Sequence, residues 1–465
     1  MSKPLPYRSH QLTRCAKVYI RKPTGLDRSS LSGNSNEPSD VEEDGSSDVE
    51  EKEYKESEIR KITLAVIAGV VFGGIATGVA FPTLPLLGDI LGISAVMLGV
   101  ILSANRIARL VMNTPAGQVI DSVGVRRPMI IGLFVQGFAP FMYIVGLYTP
   151  KGTLAVVPLI GEISNPSIVF VLARCFWGIG SAFVIIGAFV IITRITTPSN
   201  RGKWVGYLRG GQSLGFPTGL VMGGAITDLF DAQTAFLVAG GLAMLAAFVA
   251  YLVIPEVESE ADTRTTLSDI PRIIRDEPRV LPVGVGNFVI RFMFAGVLLT
   301  TVVIYADAYG IRVSGLGAAG VGGLVMGIGV IISGATTVIS GRISDGLENR
   351  IAVTMPALAV LAAGFGVLAF YPTFLGILAS TVMVGFGVGG TGPALLAYLG
   401  DISPGDRIGK LGGVYNVMGD VGLALAPLIA VPAVEDWFGY RTTYLGCVVL
   451  TVACLVIVNV TLMRK

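Results

Sequence analysis

The chain has 465 residues, of which 52% are apolar and 14% charged, with a formal net charge of +2 and a mean hydropathy of +0.72. Ordinary soluble domains carry roughly 25% charged residues, so this composition cannot cover a water-facing surface and excludes a soluble enzyme or a nucleic-acid binder. The small net charge implies no polyanionic partner. The four cysteines (Cys15, Cys175, Cys447 and Cys454) have no metal-ligand spacing, and the only histidine is His10, near the N-terminus. No metal site or cofactor is expected, and no histidine acid–base chemistry within the apolar body.

Residues 1–60 form a segment apart. Basic residues (Lys3, Arg8, Arg14, Lys17, Arg21, Lys22, Arg28) give way to an acidic run from Glu37 through Glu58. Too little apolar area is available to offset the entropy of ordering, so a disordered cytoplasmic tail is expected. A membrane-surface or regulatory role for the basic stretch is the alternative.

Twelve apolar runs follow, each long enough to span a bilayer as a helix. They lie near 63–88, 93–119, 127–148, 167–193, 201–228, 232–254, 281–306, 314–341, 350–371, 373–399, 408–431 and 438–462. The longest polar break, 255–280, separates a first half (61–254) from a second (281–465). If the N-terminus is cytoplasmic, the inside loops hold nearly all of the loop Lys and Arg, and the outside loops only Lys151, Arg312 and Arg441. The positive-inside bias therefore places both termini and the 255–280 linker in the cytoplasm.

The halves repeat. Gly117-x3-Asp121-x2-Gly124-x-Arg126, between spans 2 and 3, recurs as Gly341-x3-Asp345 with Arg350, at an offset of 224 residues. Gly178-x-Gly180 matches Gly387-x-Gly389, and Gly202 and Pro217 match Gly412 and Pro427. Two six-helix halves that both start inside imply parallel repeats, with a transport site between them.

Six plus six helices, the central loop and this loop signature resemble the major facilitator superfamily, over about residues 61–465. Its loop motif, Gly-x3-Asp-Arg/Lys-x-Gly-Arg/Lys-Arg/Lys, is met at Gly117, Asp121, Gly124 and Arg126, while Ser122 and Val125 replace two basic positions. Arg174, Gly178, Gly180 and Ala182 resemble a span 4 pattern, with Trp177 where the family has glutamine. Gly211-x3-Gly215-Phe216-Pro217 resembles the glycine–proline motif of the exporter branch, with Phe216 interposed. The resemblance implies an all-α membrane fold, alternating access and a cytoplasmic gate built from Gly117, Asp121, Gly124, Arg126, Gly341, Asp345 and Arg350.

Gly211, Gly215, Gly219 and Gly223 lie four apart on one helix face, with Pro217 among them. Such a stripe either packs a neighbouring helix closely or serves as a hinge. A shorter stripe in span 1 (Gly69, Gly73, Gly74, Gly78) reads as packing. Charges within spans face a cavity or a partner. Arg106, Arg174 and Arg291 are expected to line the substrate cavity with Asp420 opposite, and Asn105, Asn287 and Gln212 to offer it hydrogen bonds. Arg109 and Arg209 either reach the cytoplasmic interface or join them. Asp420, the one deep acid, is either a proton carrier or the partner of an arginine.

The sequence therefore reads as a plasma-membrane secondary transporter, not an enzyme, that exports a small organic solute, with protons as the coupling ion. The alternatives are uptake or exchange of an organic anion, which the arginine excess favours, and a non-transporting sensor or scaffold.

Overall fold

The computed structural model describes residues 16–21, 49–54, 56–158, 161–196, 200–256, 270–403 and 408–462. Its long helices are α1 (Glu56–Ala80), α2 (Ala95–Val123), α3 (Arg126–Tyr148), α4 (Asn165–Ile195), α5 (Arg201–Leu229) and α6 (Ala232–Val253). In the second half α7 occupies Val280–Ala308. It is followed by α8 (Ala318–Asp345), α9 (Thr354–Phe370), α10 (Phe374–Ile402), α11 (Ile408–Pro432) and α12 (Gly439–Leu462).

Among the described residues, eleven helical segments are long and apolar enough to cross a membrane. The remaining long helix, α5, has 29 residues but carries Arg201, Lys203, Arg209 and Asp228 among many glycines. It is nonetheless packed between α1 and α8. The chain is an all-α membrane protein.

Local chemistry sets the helix ends. Ser94 and Asp231 cap α2 and α6 by accepting from the amides of Met97 and Thr234, which satisfies first-turn donors that lack helical partners. The Thr234 amide also holds the Asp231 carboxyl below its ordinary range. Gly124 closes α2 at φ 85°, a conformation that side chains disfavour. Two antiparallel strand pairs accompany the helices. β1 (Ala16–Arg21) pairs antiparallel with β2 (Val49–Tyr54), and β3 (Thr153–Val157) with β4 (Gly161–Ser164). The first pair falls within the tail expected to be disordered, where the Val18-Tyr19-Ile20 run suits a strand. The other residues before Glu56, except those of β1 and β2, lie outside the described set, as does the middle of the linker.

In the first half, α4 packs on α2 and α3, and α1 on α5 and α6. In the second, α10 packs on α8 and α9, and α7 on α11. The most apolar window of α7 is 83% buried and that of α12 only 28%, so α7 is central and α12 turns most of its surface to the surroundings.

The halves meet along two seams, α2 against α11 and α5 against α8. Both seams lie at the end of the bundle away from the termini, here called distal. At the first, a Cβ on Gly99 would stand 2.6 Å from the Pro427 carbonyl. At the second, Gly224 faces the Ala319 carbonyl and Gly323 the Leu220 carbonyl. Towards the opposite, proximal end, Gly202, Gly206 and Gly210 of α5 have open space where a Cβ would be. The bundle is closed distally and open on the side of the linker and both termini.

Candidate substrate-binding site

A cavity of about 250 Å³ opens inside the first half, between α1, α2, α3, α4 and α5. The glycines of α1 divide by face. A Cβ on Gly69 or Gly73 would meet nothing within 4 Å, whereas one on Gly74 or Gly78 would run into α5. Gly69, expected to serve packing, and Gly73 instead leave room in the cavity wall. Val70, Trp177, Val184, Ile185 and Phe216 give the wall its apolar part, and Asn105, Arg106, Arg109, Gln136, Ser181 and Gln212 its polar part.

Arg106 and Arg109 stand three residues apart on α2, a spacing that puts both on one face. Arg106 makes no hydrogen bond or ion pair among the described residues. Arg109 reaches across to the second half, its Nη2 lying 3.8 Å from Asp420 Oδ1. The same oxygen accepts from Arg291 Nη1 at 2.8 Å. Asp420 on α11 is therefore shared by an arginine from each half. The sequence left Arg109 between interface and cavity, and the structure places it in the cavity. Arg209 is exposed on α5. Gly419 makes room for the pair, since a Cβ there would stand 2.7 Å from Arg291 Cδ. Arg291 also precedes a wider, π-type turn of α7, Phe292–Leu298, a departure from α-geometry that often marks functional sites.

Of the expected cavity residues, Arg291 and Asp420 are outside the lining and meet it through Arg109, and two more are committed elsewhere. Arg174 is buried, with 3% of its surface exposed. Its guanidinium donates to the carbonyls of Ile101 and Leu102 at 3.2 and 3.1 Å and to Asn105 Oδ1 at 2.7 Å. It clamps α4 to α2, because carbonyl dipoles two helices away satisfy its donors better than an open cavity does. Asn287 is also buried and donates to the Tyr415 carbonyl at 2.7 Å, joining α7 to α11. Asn105 and Gln212 do line the cavity. Sequence reasoning missed Gln136, whose Oε1 is buried without a partner. A lone glutamine in an apolar run gives no hint of which face it occupies.

The residues expected to form the gate sit at the proximal end, and Gly117, Asp121, Gly341 and Asp345 lie within the last turns of α2 and α8, not in loops. Arg126 Nη2 donates to the Tyr251 carbonyl of α6 at 3.1 Å. Arg350 contacts Asp345 at 2.6 Å and Asp401 at 2.9 Å, tying α8, α9 and α10 together. Each of these contacts stays within one half, as expected at the open end. Asp401 was not legible in the sequence, since it lies in the last turn of α10, far from the motif.

The glycine stripe of α5 lies closely against α1. A Cβ on Gly215 would lie 2.6 Å from the Val71 carbonyl, and Gly219 and Gly223 face the carbonyls of Ile75 and Val79. Pro217 lies on the other face, where its carbonyl stands 3.2 Å from a Cβ built on Gly327 of α8.

Residues 66–427 and 349–465 match the sequence profile of the Major Facilitator Superfamily. An uncharacterized MFS-type transporter of Methanocaldococcus jannaschii is 24% identical over 79% of this chain and 88% of its own length. Multidrug resistance protein 1 of Bacillus subtilis is 22% identical over 80% of this chain and 90% of its own. Among solved structures, a bacterial homologue of the human lysosomal transporter Spinster, inward-facing and occupied, superposes with a TM-score of 0.69 at 13% identity, covering 89% of this chain and 98% of that one. A human organic anion transporter reaches 0.57 at 16% identity over 86% and 99%. The profile spans nearly all of the helical bundle, and the chain is a multi-pass membrane transporter, not an enzyme, that belongs to the major facilitator superfamily.

Proposed function

We propose that this transporter exports a small amphipathic organic anion across the plasma membrane by alternating access, driven by protons moving the other way. The observation that carries the reading is the charge of the cavity. Arg106 and Arg109 line it, Arg109 shares the one nearby acid, Asp420, with Arg291, and Arg106 makes no hydrogen bond or ion pair among the described residues. Unpaired intramembrane charge needs water, a partner or a ligand, and an anion supplies the missing charge. The apolar wall of Trp177, Val184, Ile185 and Phe216 suits an apolar body beside the anionic group.

Asp420, the acid that Arg109 and Arg291 share beside the cavity, is the proton carrier in this reading. The multidrug resistance proteins among its relatives favour export. With both termini cytoplasmic, as the Lys/Arg bias argues, the open end faces inward, ready to load cytoplasmic solute. A second reading, uptake or exchange of an organic anion, uses the same cavity, and the organic anion transporter among its structural neighbours favours it.

The test is uptake of labelled organic anions, cations and neutral solutes into everted vesicles with an imposed pH gradient. The expected result is accumulation of amphipathic anions when the vesicle interior is acidic. Transport of cations that no anion inhibits would overturn the anion reading, and accumulation only with the gradient reversed would replace export by uptake.

A further inference from the structure

The distal seam between α5 and α8 contains one polar contact that no loop motif announces. Asp228 sits in the last turn of α5, where the negative end of its own helix disfavours a carboxylate. Its Oδ2 accepts from the Gly320 amide of α8 at 2.6 Å. Gly320 is the third residue of α8, and the first amides of a helix have no partner inside it. Most helices solve this with a side chain at the preceding position. In α8 that position is Gly317, which has no side chain to give.

We infer that Asp228 is the distal latch, an N-cap supplied to α8 by the opposite half of the transporter. Gly320 and Gly317 permit the approach. A Cβ on Gly320 would run into Asp228 Oδ2, and one on Gly317 would stand 3.1 Å from Oδ1. The adjacent residue anchors the turn that carries the carboxylate, since Thr227 Oγ1 lies 2.6 Å from Thr83 Oγ1 at the end of α1. The latch is one-sided. At the offsets that relate the halves, Val96 corresponds to Gly320 and Phe438, beyond the end of α11, to Asp228, and a phenylalanine ring cannot accept this bond. Parting the distal ends leaves the first turn of α8 without its cap, so the bond favours the distally closed state and sets how readily the other state is reached.

The inference rests on the alternating-access reading, but its test needs no substrate. Nitroxide labels at Phe230→Cys in the first half and Arg312→Cys in the second, in the purified full-length protein without its native cysteines, report the distal separation by pulsed electron resonance. Asp228→Asn and Gly320→Ala should each raise the ratio of distally open to closed molecules about threefold to tenfold, as the loss of a helix cap does. Gly320→Ala keeps the charge and displaces it, so it decides the matter if Asp228→Asn folds poorly. Distance distributions unchanged from the parent in both folded variants would overturn the latch. Failure to transport any organic anion would overturn only the proposed function.

Discussion

Two arginines of similar depth have opposite duties. Arg174 is consumed by three hydrogen bonds to α2, whereas Arg106 faces the cavity with its donors uncommitted. A hydrogen bond to a charged group contributes about 1.5–3 kcal/mol, so losing the network in Arg174→Gln should lower the melting temperature of the purified protein sharply. Arg106→Gln should melt within about 0.5 kcal/mol of the parent yet weaken anion binding about tenfold, the equivalent of one charged hydrogen bond. Melting curves together with a binding assay separate the two. A normal melting curve for Arg174→Gln would return it to the cavity. Charge and depth were legible in the sequence, but the direction of a side chain was not. Which arginine finds carbonyls and which finds open space depends on how α4 is rotated against α2, and apolar spans carry little periodicity to reveal rotation.

The helices themselves were legible, most of their ends to within a few residues, because a bilayer demands a fixed length of apolar chain. Some of the differences fall where helix continues into water. α1 begins at Glu56, seven residues before the apolar run, and α8 extends to Asp345 through a motif expected in a loop. Hydropathy marks the membrane, not the end of hydrogen bonding. The stripe of α5 was visible too, and only its neighbour decides its purpose. Gly219 abuts the backbone of α1 at Ile75 and Gly78, whereas Gly210 touches nothing. Gly219→Val should therefore destabilise by roughly 1–3 kcal/mol through overpacking, and Gly210→Ala should stabilise by up to about 1 kcal/mol through helix propensity. Thermal melting of the two variants side by side checks this, and equal melting points would remove the stripe's packing role.

For the whole molecule, the internal offset of 224 residues announced two halves, and their seams followed the same repeat, α2 with α11 and α5 with α8. What the repeat could not convey is which end is shut, since a sequence is common to every state of a moving protein. The orientation of the open end is testable. A cysteine at Ile270, in the short helix Ile270–Asp276 of the linker, should react with a membrane-impermeant maleimide only after cells are permeabilised. Labelling of intact cells would invert the topology and turn the open end outward.

The cavity has an uneven authorship. Its walls come from α1 to α5, while the second half contributes Asp420 and Arg291, which meet it through Arg109. On the proposed reading, recognition and energy supply are encoded in different stretches of the gene and can drift apart over generations. A hybrid that joined the first 254 residues to the second half of a relative should keep this protein's substrate spectrum while adopting the relative's driving ion.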